Sequence, residues 1–144
     1  MKLAVLTPSV TALPQPTVED IGKLSAMGYR SVISNRPDGE AADQPDFAQI
    51  ARAAAEHGME ALHIPVSLGQ LDDSQVTAFR HALGRLPRPI AAFCRSGTRA
   101  ALMWALANEA NLTVNERLSI AGQEGFDLEP FRALMEKGLS DGDA

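Results

Sequence analysis

Short apolar runs alternate along the chain with longer segments whose apolar residues recur at helical spacing. The runs predict strands at residues 3–7, 29–34, 59–66 and 90–93. The segments between and after them predict helices, including a short last helix at 129–137. Strands that alternate with helices favour an α/β fold, in which a mostly parallel sheet of four to five strands is flanked by helices.

Local signals place several of the helix starts. Thr17 with Asp20, and Thr113 with Glu116, have the spacing of a capping box, in which two side chains satisfy free backbone N–H groups. Pro45 suits the first position of the second helix, because its fixed φ is helical and its missing N–H is not needed there. These signals predict regular elements throughout the chain.

Composition narrows the class of protein. Of the 144 residues, 45% are hydrophobic and 22% are charged, which is typical of a soluble globular protein. We expect one domain at residues 1–139, followed by a flexible tail at 140–144. A net charge of −5 argues against nucleic-acid binding. No apolar run suits a membrane span or a secretory signal, so a cytoplasmic protein is expected.

The only cysteine, Cys94, follows the predicted strand 90–93 directly and precedes an Ala/Leu-rich helix. It therefore lies at a strand-to-helix turn, where backbone N–H groups of the helix N-terminus lack intrahelical partners. The turn contains a glycine, two hydroxyl residues and two arginines, in the order Cys94-Arg95-Ser96-Gly97-Thr98-Arg99. This combination predicts a site for an anion.

The same turn favours a reactive thiolate. The positive end of the helix dipole and the guanidinium groups of Arg95 and Arg99 stabilise negative charge on Cys94. Cys94 is therefore predicted as a nucleophile and Arg99 as its catalytic partner. The alternative is a small buried cysteine, which is the commoner role of this residue. The two flanking arginines argue against it, because arginine is rarely buried without an anionic partner.

Polar residues also follow the other predicted strands. Since parallel strands end at one edge of a sheet, Arg36 and His63 are expected on the same rim as Cys94. Arg36 is a candidate ligand for the anion, or it forms an ion pair with Asp38 or Glu40. His63 is predicted as a core histidine rather than a base. With one cysteine and dispersed histidines, no metal or cofactor is predicted.

Four separated motifs together resemble the phosphatase-like domain of the β-lactamase-hydrolase-like proteins. They are Gln15-Pro16-Thr17, residues 35–40, His63-Ile64-Pro65-Val66 and residues 94–99, and the resemblance extends from about residue 3 to residue 130. It implies a fold of the protein-tyrosine-phosphatase type, similar to the dual-specificity phosphatases. It also implies a place in bacterial sulfide or persulfide handling, with a persulfide dioxygenase as partner.

The length of the cysteine loop bears on the reaction. Tyrosine-phosphatase-like enzymes separate cysteine and arginine by five residues and place a hydroxyl residue after the arginine. Here four residues separate Cys94 from Arg99, and Ala100 takes the place of the hydroxyl residue. The six-residue sequence Cys-Arg-Ser-Gly-Thr-Arg instead resembles the active loop of rhodanese-type sulfurtransferases. One residue fewer removes up to ~3.3–3.6 Å of chain, and a smaller ring of N–H groups suits a terminal sulfur better than a phosphoryl group.

The residues available as general acid give a second clue. A phosphatase of this fold usually takes an aspartate from the loop after the strand at 63–66, where this chain has Ser67-Leu68-Gly69-Gln70. Asp38, Asp72 and Asp73 lie nearby, but nothing in the sequence marks one of them as the acid. Transfer of a sulfane sulfur releases a stable anion, so that reaction needs no such acid.

The sequence thus favours a sulfurtransferase that moves a sulfane sulfur from a small anionic donor through a persulfide on Cys94. Arg95, Ser96, Gly97, Thr98 and Arg36 are the expected anion-binding residues. One alternative is a phosphatase that hydrolyses a phosphoester through a phosphocysteine on the same residue. Another is a non-catalytic module that binds anions or senses oxidants through its thiol.

Overall fold

In a computed structural model, which describes residues 1–137, the protein consists of a five-stranded sheet with helices on both faces. The strands are β1 (Ala4–Thr7), β2 (Val10–Leu13), β3 (Ser31–Ser34), β4 (Glu60–His63) and β5 (Ile90–Phe93). Their order is β1-β2-β5-β3-β4; β1 is antiparallel to β2, and all other neighbours are parallel. The predicted fold class is confirmed. The predicted tail at 140–144 lies outside the described residues.

Six helices cover the two faces of the sheet. They are α1 (Val18–Ala26), α2 (Phe47–Glu56), α3 (Asp73–Arg85), α4 (Thr98–Ala107), α5 (Val114–Gln123) and α6 (Arg132–Lys137), with short 3-10 turns at Leu68–Gln70 and Glu129–Phe131. One core lies between α1, α2 and the sheet, and a larger one lies under α3 to α6. Apolar side chains on both faces explain why the central strand β5 is an uninterrupted apolar run.

Two local predictions were wrong. No strand was predicted between residues 7 and 29, but Val10–Leu13 forms β2, and all four of its residues are buried. The helix expected to begin at Pro45 begins at Phe47 instead. Asp46 caps it through a bond that its side chain accepts from the Gln49 N–H, at 2.9 Å, so proline precedes the cap.

Helix α4 lies in the centre of the larger core. Every residue from Ala100 to Ala107 is buried, and its four alanines allow the helix backbone to approach its neighbours closely. Arg117 of α5 donates to the Ala105 carbonyl near the end of α4, and burial lowers the pKa of this guanidinium. The helix that follows the cysteine loop is therefore fixed along its whole length.

The carboxyl ends of the four parallel strands lie on one rim of the sheet, as expected. Ser34 pairs with Phe93 on β5 and with His63 on β4, so the residues that follow these strands are neighbours. The end of β2 joins them, because Leu13 also pairs with Phe93. The rim therefore gathers four chain segments around Cys94 rather than the three that were expected.

Candidate active site

Cys94 lies immediately after β5 and is fully buried, with 0% of its surface exposed. Its sulfur faces the loop, because the Gly97 N–H donates a hydrogen bond to Cys94 Sγ at 3.1 Å. This bond stabilises negative charge on the sulfur. Because no surface of Cys94 is exposed, a substrate reaches the sulfur only when a neighbouring group moves.

Gly97 makes this loop possible. Its φ of 98° lies in the left-handed region, and it forms the N-terminal cap of α4. A Cβ at this position would lie 3.1 Å from Cζ of Phe126 and 3.3 Å from the backbone carbon of Leu13. The turn that directs an N–H to the sulfur therefore requires glycine.

We expect Gly97→Ala to lower the free energy of unfolding by roughly 1–2 kcal/mol or more, because alanine disfavours this φ and its methyl group meets Phe126. Gly84→Ala is the control. Gly84 lies in α3 with open space around it, so alanine should stabilise that helix by about 0.5–1 kcal/mol. Urea denaturation measures both changes, and an unchanged stability of the Gly97 variant would contradict the expectation.

Arg99 lies between Cys94 and the carboxylate of Glu40. Its Nη1 and Nη2 donate to Glu40 Oε2 and Oε1 at 2.7 and 2.9 Å, and Nη1 also donates to the Val66 carbonyl at 2.8 Å. Hydrogen bonding to Glu40 raises the pKa of Arg99, and the nearby charge of Cys94 raises it further. The guanidinium is held in one orientation beside the sulfur.

Glu40 also binds the second arginine of the rim. Arg36 is only 5% exposed, and it donates from Nε to Glu40 Oε1 at 3.0 Å and from Nη1 to Gln15 Oε1 at 3.1 Å. The ion pair that was the alternative for Arg36 is thus formed with Glu40; Asp38 instead accepts the Phe47 N–H. Arg99, and secondly Arg36, lower the pKa of Glu40 to about 2.

This shift predicts a pH-dependent stability. The native pKa of Glu40 lies below the ordinary value of 4.5. The ionised carboxylate therefore contributes fully to the free energy of unfolding above pH 4.5, and this contribution is lost as the pH falls towards 2. Because the carboxylate is partly exposed, we expect Glu40→Gln to cost on the order of 1–2 kcal/mol at pH 7. The difference from wild type should shrink in denaturation curves at pH 3 and below. A difference that stays constant with pH would contradict this role.

The other loop residues divide into two groups. Arg95 is exposed, and its side chain makes no hydrogen bond or ion pair with any residue in 1–137. The hydroxyl groups of Ser96 and Thr98 lie 3.2 Å apart and bond each other. They stabilise the turn, whereas Arg95 remains available to a ligand.

His63 and Asn35 fix the neighbouring strand ends. The His63 ring stacks on Phe47 with centroids 4.7 Å apart, and its Nε2 donates to the Arg36 carbonyl at 2.8 Å, so that nitrogen carries a proton. Asn35 is buried and donates to the Ile64 carbonyl at 2.8 Å, while its Oδ1 has no donor among the described residues. His63 thus holds the backbone of Arg36, which is a structural role, although its ring is only partly buried and not in the core.

Asp72 is fixed as a helix cap. It precedes α3, and its Oδ1 accepts from the Ser74 hydroxyl at 2.6 Å and from the Ser74 and Gln75 N–H groups. The hydroxyl contact, followed by the backbone bonds, lowers the pKa of Asp72. This carboxylate is held as an ionised acceptor, which does not suit a proton donor.

We therefore expect Asp72→Ala to lower stability by about 1 kcal/mol through loss of the cap. A general acid contributes roughly 10²- to 10⁴-fold to rate, and we expect none of this loss in kcat/KM for a Cys94-dependent reaction. Initial rates and urea denaturation of the same variant separate the two effects. A hundredfold fall in rate would identify Asp72 as the acid.

Two absences apply to residues 1–137. No group of three or more His, Cys, Asp or Glu side chains there could hold a metal ion. No helix in this part of the chain is long and apolar enough to cross a membrane. Sequence reasoning missed the contact of Gln15 with Arg36 and that of Glu40 with Arg99, although Gln15 and Glu40 belong to the motifs that carried the resemblance.

Comparison with known proteins identifies the family. The model of the phosphatase-like domain of beta-lactamase hydrolase-like proteins matches residues 2–111. The beta-lactamase hydrolase-like protein of Agrobacterium fabrum is 33% identical over 130 residues, covering 89% of this chain and 30% of that protein. The chain thus spans about 30% of the length of the curated relatives it matches.

Solved structures agree with this assignment. The crystal structure of a "putative phosphatase" from Neisseria meningitidis is 33% identical, with a TM-score of 0.84, and the match covers 96% of this chain and 99% of that one. The structure of P. aeruginosa TpbA in complex with pTyr shares the fold at 18% identity and a TM-score of 0.69, covering 99% and 86% of the two chains. The family match and the 33%-identical Neisseria structure favour the phosphatase alternative over the expected sulfurtransferase. The chain belongs to the family of beta-lactamase hydrolase-like, phosphatase-like domains.

Proposed function

We propose that the chain is a cysteine-dependent phosphatase in which Cys94 is the nucleophile. The position of its sulfur carries the proposal: Sγ accepts the Gly97 N–H at 3.1 Å and lies beside the fixed guanidinium of Arg99. The fold shared with tyrosine-phosphatase-like structures and the 33%-identical Neisseria relative support it. The hydrogen bond to the sulfur and the neighbouring guanidinium both suit attack by the thiolate on an anionic phosphoester.

The reaction has two steps. The Cys94 thiolate attacks phosphorus, an S–P bond forms, and the P–O bond to the leaving group breaks with its electron pair on oxygen. Water then attacks phosphorus, the S–P bond breaks, and phosphate and the thiolate are released. Loop N–H groups and Arg99 stabilise the charge on the phosphoryl oxygens in both steps.

Two carboxylates near the site, those of Glu40 and Asp72, do not suit a general acid that protonates the leaving group. Glu40 is ionised because its pKa is about 2, and Asp72 is held as a cap, so neither donates a proton to the departing oxygen. A leaving group of low pKa needs no such donor. We therefore expect aryl phosphates to react faster than alkyl phosphates.

Transfer of a sulfane sulfur is the second candidate, and the four-residue spacing between Cys94 and Arg99 supports it. The thiolate would attack the outer sulfur of a donor such as thiosulfate, forming a new S–S bond while the donor's S–S bond breaks and sulfite leaves with the electron pair. An acceptor thiol then takes the sulfur. The persulfide dioxygenase implied by the resemblance is the proposed partner in this case.

Intact-mass measurement distinguishes the candidates. Wild-type protein is mixed with 4-nitrophenyl phosphate or, separately, with thiosulfate, and is quenched in acid within milliseconds to seconds. We expect a phosphoryl adduct with the first compound, together with release of nitrophenol, and no adduct in Cys94→Ser. A one-sulfur adduct from thiosulfate without the phosphoryl adduct would establish the second candidate. If neither adduct forms and anions still bind, the protein is a binding or sensing module.

A further inference from the structure

A cleft of about 690 Å³ opens beside the Cys94 loop. Gln15, Arg36 and Arg95 are among its lining residues, and so are Glu19 of α1 and Asp43. This volume is in the range of small-molecule sites and is far larger than an inorganic phosphate or thiosulfate ion requires. Arg95 directly follows Cys94 in the loop and also lines the cleft, so the cleft adjoins the loop that holds the sulfur.

The charges around the cleft are of two kinds. The Arg36 guanidinium is already bonded to Glu40 and Gln15 and is nearly buried, so it forms part of a fixed wall. Arg95, Glu19 and Asp43 are exposed, and within residues 1–137 their side chains form no hydrogen bond or ion pair. One cation and two carboxylates are therefore available around one cleft.

We propose, on the basis of the phosphatase reaction above, that the cleft binds the zwitterionic end of a free amino acid whose side chain carries the phosphoryl group. The carboxylate of the ligand pairs with Arg95, and its ammonium group pairs with Glu19 and Asp43. Available charges of both signs suit a ligand that carries both charges, whereas a simple dianion would be repelled by the two carboxylates.

This recognition excludes an internal residue of a protein. Within a polypeptide the amino and carboxyl groups are amides and carry no charge. The substrate class is then a free phosphorylated amino acid with an acidic leaving group, and phosphotyrosine is the natural probe of this class.

Binding to the full chain with Cys94→Ser tests the proposal without turnover. Calorimetry compares free phosphotyrosine with its N-acetyl, C-amide derivative, and we expect the free compound to bind about tenfold more tightly, or ~1.4 kcal/mol. In the same background, Arg95→Gln and Asp43→Asn should each remove most of this difference. Arg85→Gln and Glu60→Gln, at the opposite end of the sheet, should leave it unchanged.

The outcomes separate this proposal from the function itself. Equal affinities for the two compounds, or no binding of either, would overturn the zwitterion site. Equal hydrolysis of both compounds by wild type would overturn it while leaving the phosphatase intact. Preferential binding of free phosphotyrosine by a protein that does not hydrolyse it would support the site and contradict the phosphatase.

Discussion

Replacing Cys94 with serine is expected to reduce kcat/KM by a factor on the order of 10⁴ or more, because loss of a nucleophile removes the covalent step. Serine is similar in size to cysteine, and its hydroxyl oxygen can accept the hydrogen bond from the Gly97 N–H. The loop should therefore retain its shape. Initial rates with an aryl phosphate, and separately with thiosulfate, measure the loss for each candidate reaction.

A matched variant makes this result specific. Ser96→Ala changes an exposed hydroxyl in the same loop, and we expect it to retain activity within about tenfold, since its bond to Thr98 only stabilises the turn. Thermal unfolding should show both variants folded. Substantial turnover by folded Cys94→Ser protein would exclude a covalent reaction at this residue.

Arg99→Lys should lower kcat/KM by roughly 10²- to 10³-fold, in line with the loss of one fixed donor to a developing oxyanion. Lysine is a point charge, and it cannot bond both oxygens of Glu40 and the Val66 carbonyl while facing Cys94. The loss should fall mainly on kcat if the arginine acts in the transition state. Steady-state kinetics with an aryl phosphate measure it.

Arg85→Lys at the end of α3 is the control for a general effect of exchanging arginine for lysine. It should leave kcat and KM unchanged, because Arg85 is exposed and lies at the opposite end of the sheet. If Arg99→Lys behaved like this control, the planar geometry of the Arg99 guanidinium would play no part in the reaction.

The elements with local signals could be predicted from the sequence. Strand β5 has the predicted bounds, because it is a compact apolar run limited by Pro89 and the polar loop. The capping boxes at Thr17 and Thr113 are also formed. Strand β2 was missed because its four residues carry little signal of their own, and their strand conformation depends on pairing with β1 and β5.

In the candidate active site, too, features set by adjacent residues could be predicted and contacts between distant segments could not. The position of Cys94 at a strand-to-helix turn follows from adjacent residues, so sequence patterns could place it. The contact between Glu40 and Arg99 joins residues 59 positions apart and depends on how two loops meet on the rim. The pair of Arg36 with Glu40, four residues apart, could be offered from the sequence as one alternative, whereas the free side chain of Arg95 could not be foreseen.

The burial of α4 separates reactivity from recognition in this molecule. Its eight buried residues tie the start of the helix, and with it the sulfur and its N–H donor, to the hydrophobic interior. The chemical step can therefore tolerate little sequence change in this helix. The part of the cleft lining formed by Ala41, Ala42 and Asp43 is small or polar and largely exposed. Engineered substrate preference is best sought there, where replacements can reshape the entrance without loosening the reactive centre.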